Sequence, residues 1–450
     1  MSSRQVRQPR REAMRVVRQY LDAKSVLTGY LVLCFIPSYL TITVIGALGR
    51  PTILMSLAML AWWLAHQLQR PFPVRTGTQP LRWMMAIVFL AVLMSYALAM
   101  FRGMPASEVS PADTGLLRAA SWAGLFLVAH DGLRTWKNLH ITIRRVVAAA
   151  GVMALLGLLQ FLTKNPLLSW LSIPGMSGDG LGAIDQRGGF VRAAGTSAHP
   201  LEYGMVLCVT LPLALTLAME DRERRPLARW WPAVTITAAS VLSVSRSALL
   251  AVAVALAVLS FAWTRRQKII AGGVALVGFV AVWAAVPGMA GTIVGMFTGA
   301  GQDSSVASRV NGYDVAFGMV SRLPVFGRGL GTLLPTYVYL DNQYLGTVVE
   351  LGLVGLGSFL AFFGLAAVLV WGTHRRLRGG DPLMDQLAAA LAAGLCSGSL
   401  SFTFFDALTF PLSAGFMFLM LGLAGAYCRV VRNQSVDNPL STARFKGALK

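Results

Sequence analysis

Trp230-Trp-Pro-Ala-Val-Thr-Ile-Thr-Ala-Ala-Ser-Val-Leu-Ser243-Val-Ser-Arg246-Ser-Ala-Leu-Leu-Ala-Val-Ala-Val-Ala-Leu-Ala-Val-Leu-Ser-Phe-Ala-Trp263 is too long for one membrane crossing. It yields two short crossings only if the chain breaks at Ser243-Val-Ser-Arg-Ser247. The positive-inside rule decides between the two readings. With the break, Arg265-Arg266-Gln-Lys268 falls on the side of the other basic connections: Arg4–Lys24, Arg70–Arg82, Arg134–Arg145, Arg222–Arg229, Arg375–Arg378 and the tail from Arg429. Without it, that cluster lands on the opposite side. The break is therefore expected, with both termini cytoplasmic.

Composition agrees with this frame. The 450 residues are 55% hydrophobic and 13% charged, with a mean hydropathy of +0.62, which leaves too little polar surface for a soluble globule. A transmembrane barrel would show short alternating segments instead. Apolar runs predict about twelve helical spans, near 26–46, 51–68, 82–101, 114–130, 145–163, 200–219, 230–244, 246–263, 268–286, 344–371, 384–404 and 407–428. The expected fold is all-α: one polytopic membrane domain over 26–450 behind a basic cytoplasmic arm, 1–25. Its long extracytoplasmic loops lie at about 164–199 and 287–343. The arm is too long and basic for a typical signal peptide and reads as the flank of an uncleaved first anchor. The net charge of +20 sits in membrane-flanking connections, where orientation and anionic lipid account for it, so nucleic acid is not an expected partner. Cys34, Cys208, Cys396 and Cys428 lie in or beside apolar spans without ligand spacing and read as packing residues.

Arginines on the translocated side run against the bias and need a reason. Arg187 and Arg192 precede the sixth span, Arg246 sits at the break, and Arg309, Arg322 and Arg328 lie in the long loop. Arg246 is either a snorkelling side chain at a helix end or a planar fork for a phosphate, and at that depth phosphates belong to lipids. Gly189-Phe-Val-Arg192-Ala-Ala-Gly195-Thr-Ser-Ala-His199-Pro-Leu-Glu202-Tyr-Gly204 points the same way. It is an irregular approach to a helix that Thr196 or Ser197 would cap, and a helix start beside an arginine suits an anion. For His199, structural hydrogen bonding and proton transfer both stay open; Glu202 pairs with an arginine on the plainer reading.

Within the loop 287–343, Val306, Val310, Tyr313, Phe317 and Val320 recur at helical spacing and predict an amphipathic helix lying on the outer surface or roofing the bundle. Ser304 or Ser305 would cap it, Pro324 and Gly327 would end it, and Arg309 and Asp314 fall off its apolar face. The following Leu323-Pro-Val-Phe-Gly327-Arg328-Gly329-Leu-Gly331 is a glycine-rich turn whose N–H groups would approach a ligand. Asp341-Asn342-Gln343-Tyr344 then opens a span, with Glu350 deeper in it.

Together, Ser-Val-Ser-Arg246-Ser-Ala, Leu323 to Gly331, and Asp341-Asn-Gln-Tyr344 followed by Glu350-Leu-Gly-Leu-Val-Gly355 resemble the O-antigen ligase and polymerase family of membrane glycosyltransferases. The resemblance covers roughly residues 185 to 365. It implies a GT-C-like helical enzyme of the bacterial cytoplasmic membrane that needs no metal or other cofactor. Such an enzyme moves a glycan from an undecaprenyl-diphosphate carrier to an acceptor sugar hydroxyl on a glycan or glycolipid. Arg192, Arg246, Arg309 and Arg328 would then hold the diphosphate and offset the charge that builds as the anomeric C–O bond breaks. Asp341 would be the base and Asn342 would orient base or acceptor, with Arg187, His199, Glu202, Arg322, Tyr344 and Glu350 in support. Where the ligase branch usually reads His-Asn, this chain has Asp341-Asn342. That departure favours a polymerase or a related transferase over a ligase proper acting on a lipid or protein acceptor.

Two other classes are weighed. Many polyprenyl-phosphate sugar transferases hold a divalent metal with acids in the first outer loop; Gly46-Ala-Leu-Gly-Arg50-Pro has none. A lipid-linked glycan flippase or other transporter would carry ionisable groups mid-membrane, whereas here the charges collect at one face.

Overall fold

The computed structural model describes residues 22–69, 78–168, 171–178, 185–187, 190–243, 245–285, 291 and 304–437. The basic arm up to residue 21, most of 286–303, the tail beyond 437, and the side chains of Arg187 and Arg309 lie outside the described residues.

The described chain is mostly helical. Its α-helices are α1 (Ala23–Leu33), α2 (Pro51–Leu68), α3 (Pro80–Phe101), α4 (Ala106–Gly132), α5 (Trp136–Thr163), α6 (Pro200–Glu220) and α7 (Pro226–Val241). After these come α8 (Arg246–Ser260), α9 (Arg265–Ala285), α10 (Ser304–Arg322), α11 (Gln343–Leu377), α12 (Pro382–Ser401) and α13 (Pro411–Asp437). The break expected within 230–263 is present: α7 stops at Val241, and α8 restarts at Arg246 with Ser245 as its N-cap. Among the described residues six helices, α3, α5, α6, α11, α12 and most of α13, are long and apolar enough to cross a membrane, while α1 and α8 are apolar but shorter.

One local expectation is corrected. Residues 26–46 are not one helix: α1 ends at Leu33, Pro37 supplies no N–H for a further turn, and Leu40–Ile42 pairs instead as strand β1 with β2 (Met176–Gly178). A second hairpin joins β3 (Asp185–Arg187) to β4 (Phe190–Arg192), so the loop before α6 carries short β structure in an otherwise helical chain. On α10, the side turned inward is Ala316, Met319 and Val320, packed on Leu340 and Val349, with Gly312 against Leu340. Of the apolar face expected on this helix, Val320 packs inward, while Tyr313 and Phe317 are exposed at 36% and 62%.

The helices alternate in direction. One end of the bundle gathers the starts of α2, α4, α6, α8, α11 and α13; the opposite end gathers the starts of α3, α5, α7, α9 and α12 together with the described basic residues of 134–145, 222–229, 265–268 and 375–378. Ion pairs knit that basic end: Arg144 meets Asp221 at 2.5 Å and Glu223 at 2.7 Å, and Asp131 takes Trp63 Nε1 at 2.9 Å with Arg82 and Arg429 close by. Helices α6 and α13 are central, with 94% and 89% of their most apolar stretches buried against 33% for α3, which turns Trp83, Ile87 and Leu90 outward. This arrangement leaves the other end free to assemble a site from six helix starts.

Candidate active site

The approach to α6 is pinned on both sides. Gln160, buried on α5, accepts from the N–H groups of Ala194 (3.2 Å) and Gly195 (2.8 Å) and donates to the Gly195 carbonyl at 3.0 Å. Thr196 is spent on the Cys34 carbonyl at 2.8 Å. The N-cap is therefore His199, not Thr196 or Ser197: its Nδ1 accepts from the Leu201 N–H at 3.1 Å, with Pro200 at the first helical position. Glu202, fully buried, accepts from Ser38 Oγ (2.8 Å), the Ala198 N–H (2.8 Å) and the Leu412 N–H (2.7 Å), tying α6 to α13 and to the segment after α1. Arg50, at the N-cap of α2, lies close enough to Glu202 to favour its charge.

The start of α11 is organised by its cap. Asn342 Oδ1 accepts from the N–H groups of Tyr344 (3.0 Å) and Leu345 (3.2 Å). Gln343 donates its backbone N–H to Phe402 O at 2.8 Å and accepts from Leu408 N at 2.7 Å, while the Tyr344 hydroxyl donates to Ser399 O at 2.7 Å. The turn between α12 and α13 is thereby held against Asp341-Asn342. That turn carries Asp406, whose carboxyl is pushed up to about 6 by burial, with the nearby Asp341 charge adding to the rise and Arg118 opposing it.

The glycine-rich turn serves packing. Arg328 N–H donates to Val349 O at 3.1 Å and Gly329 N–H to Glu350 O at 2.8 Å, while the N–H groups of Gly331 (3.0 Å) and Leu333 (3.2 Å) donate to Glu350 Oε1. The Leu353 and Val354 N–H groups answer from α11 to Pro324 O and Val325 O. These exchanges use the peptide groups freed where α11 breaks at Gly352, at φ 67° and ψ −169°. Gly327 and Gly352 meet backbone to backbone, and a Cβ on either would overlap the other's segment. The N–H groups expected to face a ligand are thus largely taken by α11.

Arg328 also has its own partner. Its Nη2 lies 2.5 Å from Oε1 of the buried Glu108 on α4, which the Tyr337 hydroxyl reaches at 2.8 Å; Arg102 donates to the Arg328 carbonyl at 2.8 Å. Arg246 begins α8, whose first turn packs on α6 through Cys208 and Ala248. Arg192 ends β4, and Arg322 is exposed at the end of α10.

Three groups at this end were not anticipated from the chain: Arg50, Arg118 and Asp406. Arg118 on α4 lies within electrostatic reach of Arg50, Glu350 and Asp406, and its Nε is buried with no hydrogen-bond partner among the described residues. The available signal was an arginine standing alone in the apolar run 114–130. Among the described residues, no group of three or more His, Cys, Asp or Glu side chains is arranged to hold a metal ion.

Residues 231–360 match the family model of O-antigen ligase. The match covers 130 of the 450 residues, so the likeness to O-antigen ligase is that of this stretch, within a chain that carries helices long and apolar enough to cross a membrane. It contains Arg246, Arg309, Arg322, Arg328, Asp341, Asn342, Tyr344 and Glu350, whereas Arg187, Arg192, His199 and Glu202 precede it. No curated protein matches the chain.

Proposed function

We propose that the chain is a polysaccharide polymerase or ligase. In this reading it transfers a glycan from an undecaprenyl-diphosphate carrier to an acceptor sugar hydroxyl, at the outer face of the bacterial cytoplasmic membrane. The observation that carries the reading is the position of Asp341. It stands at the capped start of α11, in the stretch that resembles O-antigen ligase and at the end where six helix starts bring arginines together with acids.

Asp341 takes the proton of the acceptor hydroxyl as that oxygen attacks the anomeric carbon. The bond from that carbon to the diphosphate oxygen breaks with inversion, and the electron pair leaves with the lipid diphosphate. Arg192, Arg246 and Arg309 stabilise the charge that grows there, a task for which a guanidinium is suited because it stays protonated and offers two parallel donors. Arg118 and Arg50 extend the positive field, and Asn342 keeps Asp341 in place by holding the helix start. Glu350 and Arg328 act through structure: one fastens the glycine-rich turn to the broken helix, the other anchors it to α4.

The test is transfer of lipid-linked oligosaccharide by purified protein, with no ion gradient, with and without chelator. The reading expects Asp341→Ala and Arg246→Ala each to lose at least about a hundredfold in rate, the lower range for removing a general base or a charge-stabilising donor. Full activity in both variants sinks the site assignment. Loss of transfer with chelator sinks the metal-free mechanism.

A further inference from the structure

At the end of the bundle opposite Asp341, α6, α7, α9 and α12 enclose an open cavity of about 760 Å³. Arg222, Arg224, Arg229 and Arg266 line it against two acids, Glu220 and Asp385. Glu220 Oε1 accepts from Gln267 Nε2 at 2.7 Å, and Asp385 Oδ1, 2.6 Å from His374 Nδ1, has no hydrogen-bond partner among the described residues. The neighbouring Asp221 and Glu223 are held by Arg144. Arg229 Nε is buried with no hydrogen-bond partner among the described residues, and α7 begins at the cavity wall without a side-chain cap. A concave surface with four guanidinium groups against two acids, beside an uncapped helix start, favours an anion.

The remaining wall indicates what carries the charge. Met219, Trp230 and Ile270 line the same cavity, and apolar surface continues beside it at Leu227, 81% exposed, and Ile269, 66% exposed. A cationic rim beside an apolar wall suits a phosphate joined to an apolar body. We propose that this cavity is a binding site for a phosphate ester, with the arginine forks on the phosphate oxygens and the Trp230 wall on the adjoining carbons. The source is a glycerophospholipid headgroup or a free phosphate ester, and the same chemistry receives either. The site lies about 30 Å from Asp341, by the length of the 20-residue helix α12, and does not depend on the glycosyl-transfer reading.

The test uses the full chain and two double variants that remove equal charge from the same end. Arg229→Gln with Arg266→Gln acts inside the cavity; Arg225→Gln with Arg265→Gln acts beside it. Native mass spectrometry counts phosphatidylglycerol retained from mixed phosphatidylcholine vesicles, and a titration in detergent measures sn-glycerol 3-phosphate. The cavity variant is expected to weaken retention by about tenfold or more, as loss of charge-assisted bidentate bonds should, with the neighbouring variant within about twofold of wild type. Parallel loss of glycerol phosphate binding identifies a free ester as sufficient; loss for the lipid alone identifies the headgroup in its bilayer. If the cavity variant unfolds, Arg222→Gln with Arg224→Gln, on the exposed connection, replaces it. Equal losses in the cavity and neighbouring variants, or no loss in either, overturn the proposal.

Discussion

Arg328 of the long loop meets Glu108 of α4 at 2.5 Å, and Glu108 is fully buried. An arginine expected to hold phosphate thus has an acid of its own, 220 residues away in the chain. Removing the acid leaves the guanidinium half of a largely desolvated pair. Glu108→Ala is therefore expected to destabilise by an amount near the low end of roughly 3–5 kcal/mol, since Arg328 retains some exposure. A clear fall in unfolding temperature in detergent, partly recovered by Glu108→Gln through its hydrogen bonds, is the outcome to measure.

Gly327 and Gly352 face each other, both at φ 67° and both without room for a Cβ. Gly352→Ala is expected to push the glycine-rich turn off the break in α11, cost more than about 1 kcal/mol, and lower transfer together with stability. Gly357→Ala, later on the same helix with open space around it, serves as the control and should be nearly silent in both measurements.

Asn342 is a helix cap as well as a member of the proposed catalytic pair. Asn342→Ala is expected to cost about 1 kcal/mol of stability, whereas Asn342→Ser or Asn342→Asp keeps an acceptor at the cap and most of that stability. If Asn342 only positions Asp341, transfer should follow the cap and return in the Ser variant. Activity that stays low in a fully stable Ser variant assigns the amide a direct role.

Asp406 binds its proton more tightly in the folded protein, near pH 6, than the usual 3.8 of an exposed aspartate. The raised folded value makes its contribution to stability fully present below pH 3.8 and lost as pH rises through about 6. Wild type should therefore lose stability from this group between about pH 4 and 6 relative to Asp406→Asn, which cannot ionise. Unfolding temperatures of the two proteins across that window check the sign. Parallel curves would remove Asp406 from the ionisable groups of the site.

Much of the frame was legible from order and composition. The break at Ser243–Ser247 followed from charge in the connections, because cations are costly to carry across a membrane wherever they sit in the fold. Local caps were less legible: Thr196 and Ser197 have the chemistry to cap α6, yet Thr196 is spent on Cys34 and His199 does the capping. On α10, spacing gave an apolar face but not what it would meet: the partners Leu340 and Val349 select Ala316 and Val320, while Tyr313 and Phe317 stay exposed.

What the sequence by itself determined is the membrane class, the break at Ser243–Ser247 and the motifs between about 185 and 365 that carry the resemblance, because apolar run length, charge bias and short motifs are properties of neighbours in the chain. Tertiary structure alone decided that Glu108 claims Arg328, that Glu350 claims the glycine-rich turn, and that Arg50, Arg118 and Asp406 join Asp341 at one end. Those pairings, such as the 220 residues between Glu108 and Arg328, depend on which helix starts share an end of the bundle and how closely their backbones approach, which no local spacing encodes.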